Sequence, residues 1–83
     1  MESKKILVAE DERPMARALE LKLTHAGFTV FLAGNGADAL SLIDKEHPDL
    51  ILLDLIMPKQ DGFSVLEALK KKGDRTPVIV LSN

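Results

Sequence analysis

Cysteine is absent from the 83 residues, which excludes disulfide scaffolds, Cys-based zinc sites and thiol catalysis. A basic surplus is absent too: 11 Lys and Arg stand against 13 Asp and Glu, for a net charge of −2. A nucleic-acid binder needs a basic stripe or excess to meet phosphates, so that class is set aside. No apolar run approaches the roughly 20 residues of a membrane span. The longest lies between Asp49 and Pro58, and Asp54 interrupts it. Met1–Lys5 is too short to begin a secretory signal. The expectation is a soluble, cytoplasmic chain with neither nucleic acid nor membrane among its partners. At this length it forms one small domain, residues 1–83, with a marginal core and little room for a large enzyme cleft.

Leu, Ile, Val and Phe account for 27 of the 83 residues, enough to argue against disorder. They are arranged as short unbroken runs alternating with amphipathic stretches. Ile6-Leu7-Val8-Ala9 ends at Glu10-Asp11-Glu12 and predicts a strand buried on both faces. Pro14 suits a first helical turn, and Met15, Ala18, Leu19, Leu23 and Ala26 follow at spacings that predict a helix stopped by Gly27. Residues 28–32 predict a second strand. After Gly34-Asn35-Gly36, a helix carrying Ala37, Leu40 and Ile43 ends at His47-Pro48. Leu50–Leu53 predicts the third strand. Asp61-Gly62 opens a helix with Phe63, Leu66 and Leu69 that Gly73 closes, and Val78–Leu81 is the fourth strand. The order βαβαβαβ predicts a parallel sheet with right-handed crossovers.

The acidic residues stand where strands end. Ligands of doubly wound sheets bind beyond the C-terminal ends of strands, so Glu10, Asp11 and Asp54 meet in one crevice if the third strand lies beside the first. Asp54 sits between Leu53 and Leu55-Ile56-Met57, where an unpaired buried carboxylate is costly. Its plainer role would be loop capping ahead of Pro58. Glu10 and Asp11 have a plainer role as well, favouring the N-terminus of the next helix. Three converging carboxylates repel unless a cation joins them, and an all-oxygen site suits Mg²⁺. Carboxylates with a divalent ion point to phosphoryl chemistry, with one carboxylate as nucleophile. Ser82, at the end of the fourth strand, could donate a hydrogen bond to a phosphoryl oxygen or serve as a turn residue.

Other motifs carry less. Gly34-Asn35-Gly36 lacks the Lys-Ser/Thr of a P-loop and reads as a turn. His25 and His47 end helical patterns without metal-ligand spacing, and Lys70-Lys71-Lys72 complements a helix C-terminus as a solvated face.

Val8-Ala9-Glu10-Asp11-Glu12, Asp54-Leu55-Ile56-Met57-Pro58-Lys59-Gln60-Asp61-Gly62 and Thr76-Pro77-Val78-Ile79-Val80-Leu81-Ser82 resemble the receiver domain of two-component response regulators. The resemblance runs the length of the chain. It implies a flavodoxin-like α/β fold, a doubly wound parallel sheet in strand order 2-1-3-4 with three helices. It implies a phosphoacceptor at Asp54, with Mg²⁺ held by Asp11, Asp54 and the backbone carbonyl of Ile56, and Glu10 acting through water. Ser82 becomes a switch hydroxyl, and the phosphoryl donor a phosphohistidine on a sensor histidine kinase or phosphotransfer protein.

The family's pattern continues past the fourth strand with a helix, a strand and a last helix, so the chain is expected to be a receiver truncated after strand four. The lysine that ion-pairs the phosphoryl group has no position here, and Asn83 stands where a small residue is usual. Truncation is expected to leave the fourth strand as an edge, with apolar side chains of strands three and four bare beside the first helix. Self-association through that edge and face follows as an expectation. The alternative function is a non-catalytic truncated or recombined fragment acting as an oligomerisation scaffold. A hydrolase with an Asp nucleophile is disfavoured, because such enzymes place a second Asp two residues on, where Ile56 stands. Self-phosphorylation is the most catalysis expected.

Overall fold

The computed structural model of the chain describes residues 3–57 and 61–81. Its elements are β1 (Lys5–Ala9), α1 (Arg13–His25), β2 (Thr29–Ala33), α2 (Gly36–Glu46), β3 (Leu50–Asp54), α3 (Gly62–Lys72) and β4 (Val78–Leu81). All three strand pairings are parallel and the order is β2-β1-β3-β4, as expected from the alternation of apolar runs and helices.

Side chains alternate across the pleat, so each strand feeds two cores. Leu7, Ala9, Ile51 and Leu53 pack with Ala39, Ile43, Val65 and Leu69 of α2 and α3. On the other face Ile6, Val8 and Leu52 pack with Leu19, Leu23 and Phe28. Phe28 thus belongs to the core under α1 and precedes β2 rather than starting it. The helices stop where the punctuation residues stand. Gly73 ends α3 in the left-handed region at φ 71°, and His47 ends α2 at φ 49°, just before Pro48.

Two expectations are corrected. The first apolar residue of each helical pattern faces outward: Met15 and Phe63 are exposed, as are Ala18, Ala26 and Ala37. Ala16, Ala39 and Val65 take the buried places, because each helix is turned so that a neighbouring position meets the sheet. The second concerns the face beside α1. Leu52 of β3 is buried there, in a cluster that Leu81 also joins, so β3 is not bare. On this face Ile79 of β4 is 52% exposed and Leu32 of β2 38%, while Val80, 44% exposed, lies on the opposite face.

Parallel strands joined by returning helices gather all strand C-termini at one pole and all helix C-termini at the other. The last turns of α1, α2 and α3 carry Lys22 and His25, Lys45, and Lys70 to Lys72. Lys70 to Lys72 are exposed, as expected of a solvated face, and Lys72 pairs with Asp44 across α3 and α2. Among the described residues no helix is long and apolar enough to cross a membrane.

Candidate functional site

The register of β1 against β3 pairs Ala9 with Leu53. The next residue on each strand is a carboxylate, so Glu10 and Asp54 emerge side by side at the strand ends. Both are buried, at 3% and 5% exposure, whereas Asp11 is exposed. One carboxylate oxygen from each of the three residues lies within 4.8 Å of the others. The three residues expected to converge do so.

Backbone amides hold the two buried carboxylates. Ile56 N–H donates to Asp54 Oδ1 at 3.1 Å, and Glu12 N–H donates to Glu10 Oε2 at 3.1 Å. Glu10 is anchored further by its own N–H, which donates to the Ala33 carbonyl at 3.0 Å. Burial pushes the Glu10 carboxyl above its ordinary range; the Glu12 amide works against the shift, and Asp54 and Asp11 beside it add to it.

Helix capping does not account for the acidic pair. The N-cap of α1 is Glu12, and no side chain makes a cap hydrogen bond there. Asp11 is therefore left to face the crevice. The donor set is oxygen only and concentrates negative charge, which fits a hard divalent cation such as Mg²⁺ and not a soft metal.

Of the remaining expected site residues, Ile56 joins the site through its amide, with its side chain 82% exposed. Ser82 lies outside the described residues, as do Asn83 and residues 58–60. Two features were not read from the sequence. One is a groove of about 540 Å³ that leads away from Glu10 and Asp11 between Arg13, Arg17, Leu32 and Ala33. No spacing signal marks it, because it forms between α1 and the end of β2. The other is Gly62, whose N–H donates to the Leu55 carbonyl at 3.0 Å. The sequence marks it only as half of an Asp-Gly helix start.

A doubly wound parallel sheet with an acidic cluster beyond β1 and β3 is the flavodoxin-like arrangement. The profile of the response regulator receiver domain matches residues 6–83, and the chain belongs to that family. It is 45% identical over 82 residues to a probable transcriptional regulator, ycf27, of the alga Porphyridium aerugineum, covering 99% of this chain and 34% of that protein. The chain thus spans about a third of the length of the curated relatives it matches. Among solved structures, the receiver domain of Francisella response regulator 1452 aligns with a TM-score of 0.91 and 39% identity over 96% of this chain and 66% of that one. The MaeR response regulator bound to beryllium trifluoride aligns with a TM-score of 0.86 and 26% identity, covering 96% of this chain and 69% of that one. Receiver domains typically bind Mg²⁺ at an acidic pocket and interact with histidine kinases or phosphotransfer proteins.

Proposed function

We propose that this chain is a phosphoacceptor module that takes a phosphoryl group from a histidine kinase or phosphotransfer protein onto Asp54. The observation that carries the reading is the convergence of buried Glu10, buried Asp54 and exposed Asp11 beyond adjacent strands. An Asp54 carboxylate oxygen forms the new bond to phosphorus. The bond from phosphorus to the donor's imidazole nitrogen breaks, and that nitrogen keeps the electron pair. Asp54 Oδ1 accepts from the Ile56 amide, which orients the carboxylate.

Asp11, Asp54 and the Ile56 carbonyl would hold Mg²⁺, with Glu10 acting through water, and the ion would supply positive charge to offset the carboxylates and the incoming phosphoryl oxygens. Ser82 is assigned the switch hydroxyl. The module is cytoplasmic in this reading and signals by contact.

Intact mass after incubation with acetyl phosphate tests the reading. The chain is expected to gain one phosphoryl group with Mg²⁺ present, and Asp54→Asn to gain none. A folded chain that gains none under any Mg²⁺ concentration overturns it. Beryllium trifluoride, the ligand of the MaeR structure, offers a second probe: it is expected to bind the wild type and not Asp54→Asn.

A second reading, a self-associating scaffold, is favoured by β4. Its outer edge is unpaired in the β2-β1-β3-β4 sheet and it exposes Ile79 and Val80. A second copy pairing there would extend the sheet without needing the acidic crevice.

A further inference from the structure

We infer that Gly62 is a positioning residue for the phosphoacceptor: its lack of a side chain sets where the Asp54–Leu55 peptide lies. The inference rests on the reading of Asp54 as the phosphoacceptor. A Cβ at Gly62 would stand 2.4 Å from the Asp54 carbonyl oxygen, 2.5 Å from Leu55 Cα and 3.1 Å from the Asp54 carbonyl carbon. All three are backbone atoms, which cannot rotate aside as a side chain can. The approach is also bonded, since Gly62 N–H donates to the Leu55 carbonyl at 3.0 Å. The first residue of α3 is thereby seated on the strand end that presents Asp54.

The glycine is not there for backbone freedom. Among the described residues the glycines with positive φ are Gly27 and Gly73, so Gly62 has a conformation open to alanine. What it lacks is room. Ordinary contact begins at 3.4 Å, so a methyl group at 2.4 Å forces the helix start and the Asp54–Leu55 peptide apart by about 1 Å. The site is least tolerant of that movement. Mg²⁺ takes its oxygen ligands at about 2.0–2.1 Å in near-ideal octahedral geometry. Glu10 and Asp11 are carried by β1 and stay in place while Asp54 moves.

Gly62 also takes part in stopping and starting the local chain. Asp61 caps α3 by accepting from Ser64 N–H at 2.9 Å. A displaced Gly62 therefore moves a capped, rigid helix start and not a loose loop, and the displacement passes to the strand end.

The test compares Gly62→Ala with Gly34→Ala, where a Cβ meets nothing within 4 Å, and with Ile43→Val, which lowers stability away from the site. Mg²⁺ affinity is read by titration calorimetry, and phosphoryl uptake from acetyl phosphate by intact mass at saturating Mg²⁺. Gly62→Ala is expected to bind Mg²⁺ at least tenfold more weakly and to take up phosphoryl more slowly even when saturated. Gly34→Ala and Ile43→Val are expected to keep wild-type affinity, which a purely structural role for Gly62 would not predict. A folded Gly62→Ala with wild-type affinity and uptake overturns the inference and leaves Asp54 as phosphoacceptor. A wild type without uptake overturns both. Should Gly62→Ala not fold, the wild type decides: its Gly62 amide resonance must shift as Mg²⁺ saturates, and an unmoved resonance overturns the inference.

Discussion

Glu10 shows what it costs to build this crevice. It is buried at the end of β1 with Asp54 beside it, and a single amide, from Glu12, offsets the loss of water. Its carboxyl is raised above the ordinary value of 4.5, so the folded chain holds that proton more tightly than the unfolded chain does. Folding is therefore favoured by protonation, and stability falls as pH rises from 4.5 through the folded value. In metal-free buffer Glu10→Gln is expected to stabilise the chain at pH 7 by about 0.5–2 kcal/mol, the usual range for relieving such conflicts. The gain should shrink as pH drops toward 4.5, because the raised Glu10 carboxyl increasingly carries its own proton in the folded chain. Thermal melts of the two chains at pH 4.5 and 7, with chelator present, measure both. Asp74 behaves in the opposite sense. The Thr76 hydroxyl at 2.6 Å and amide at 2.9 Å hold its carboxyl below the ordinary value of 3.8. Its contribution to stability is complete above that value and is lost as pH falls through the lower folded one.

The three helices are secured unequally. Asn35 accepts from Asp38 N–H at 2.8 Å and Asp61 from Ser64 N–H at 2.9 Å, while α1 starts at Glu12 with no side-chain cap. Asp61→Ala is expected to cost about 1 kcal/mol, and Glu12→Ser to gain up to about the same, both read from denaturant midpoints. The parallel strands were legible because a strand buried on both faces leaves an unbroken apolar run, as at Ile6–Ala9 and Leu50–Leu53. Glu10 and Asp54 were legible because a charge that ends such a run falls at the mouth of the sheet. The helix faces were less so. Spacings of three and four define a stripe, but not which edge of it meets the sheet, and small residues such as Ala16 and Ala39 are buried by close approach. The steric part of Gly62 was equally hidden, because it depends on how near α3 comes to β3.

Taken whole, the chain has a radius of gyration of 11.8 Å, about the 11.8 Å expected of a globular domain of its length. At the β4 edge Ile79 and Val80 are exposed on an outer strand of the sheet. If a second copy adds there, sedimentation of the 83-residue chain should show a dimer that weakens on Ile79→Lys, since a lysine on an edge discourages pairing. A monomer at every concentration would exclude the scaffold reading. The opposite ends of the sheet have a further consequence. Glu10, Asp11 and Asp54 occupy one pole, and each helix carries basic side chains in its last turn at the other, so a net charge of only −2 conceals an uneven spread of charge. In the field of a positively charged surface the molecule turns before it touches, presenting the crevice first, and added salt erases that advantage by slowing arrival while leaving the bound state's contacts intact.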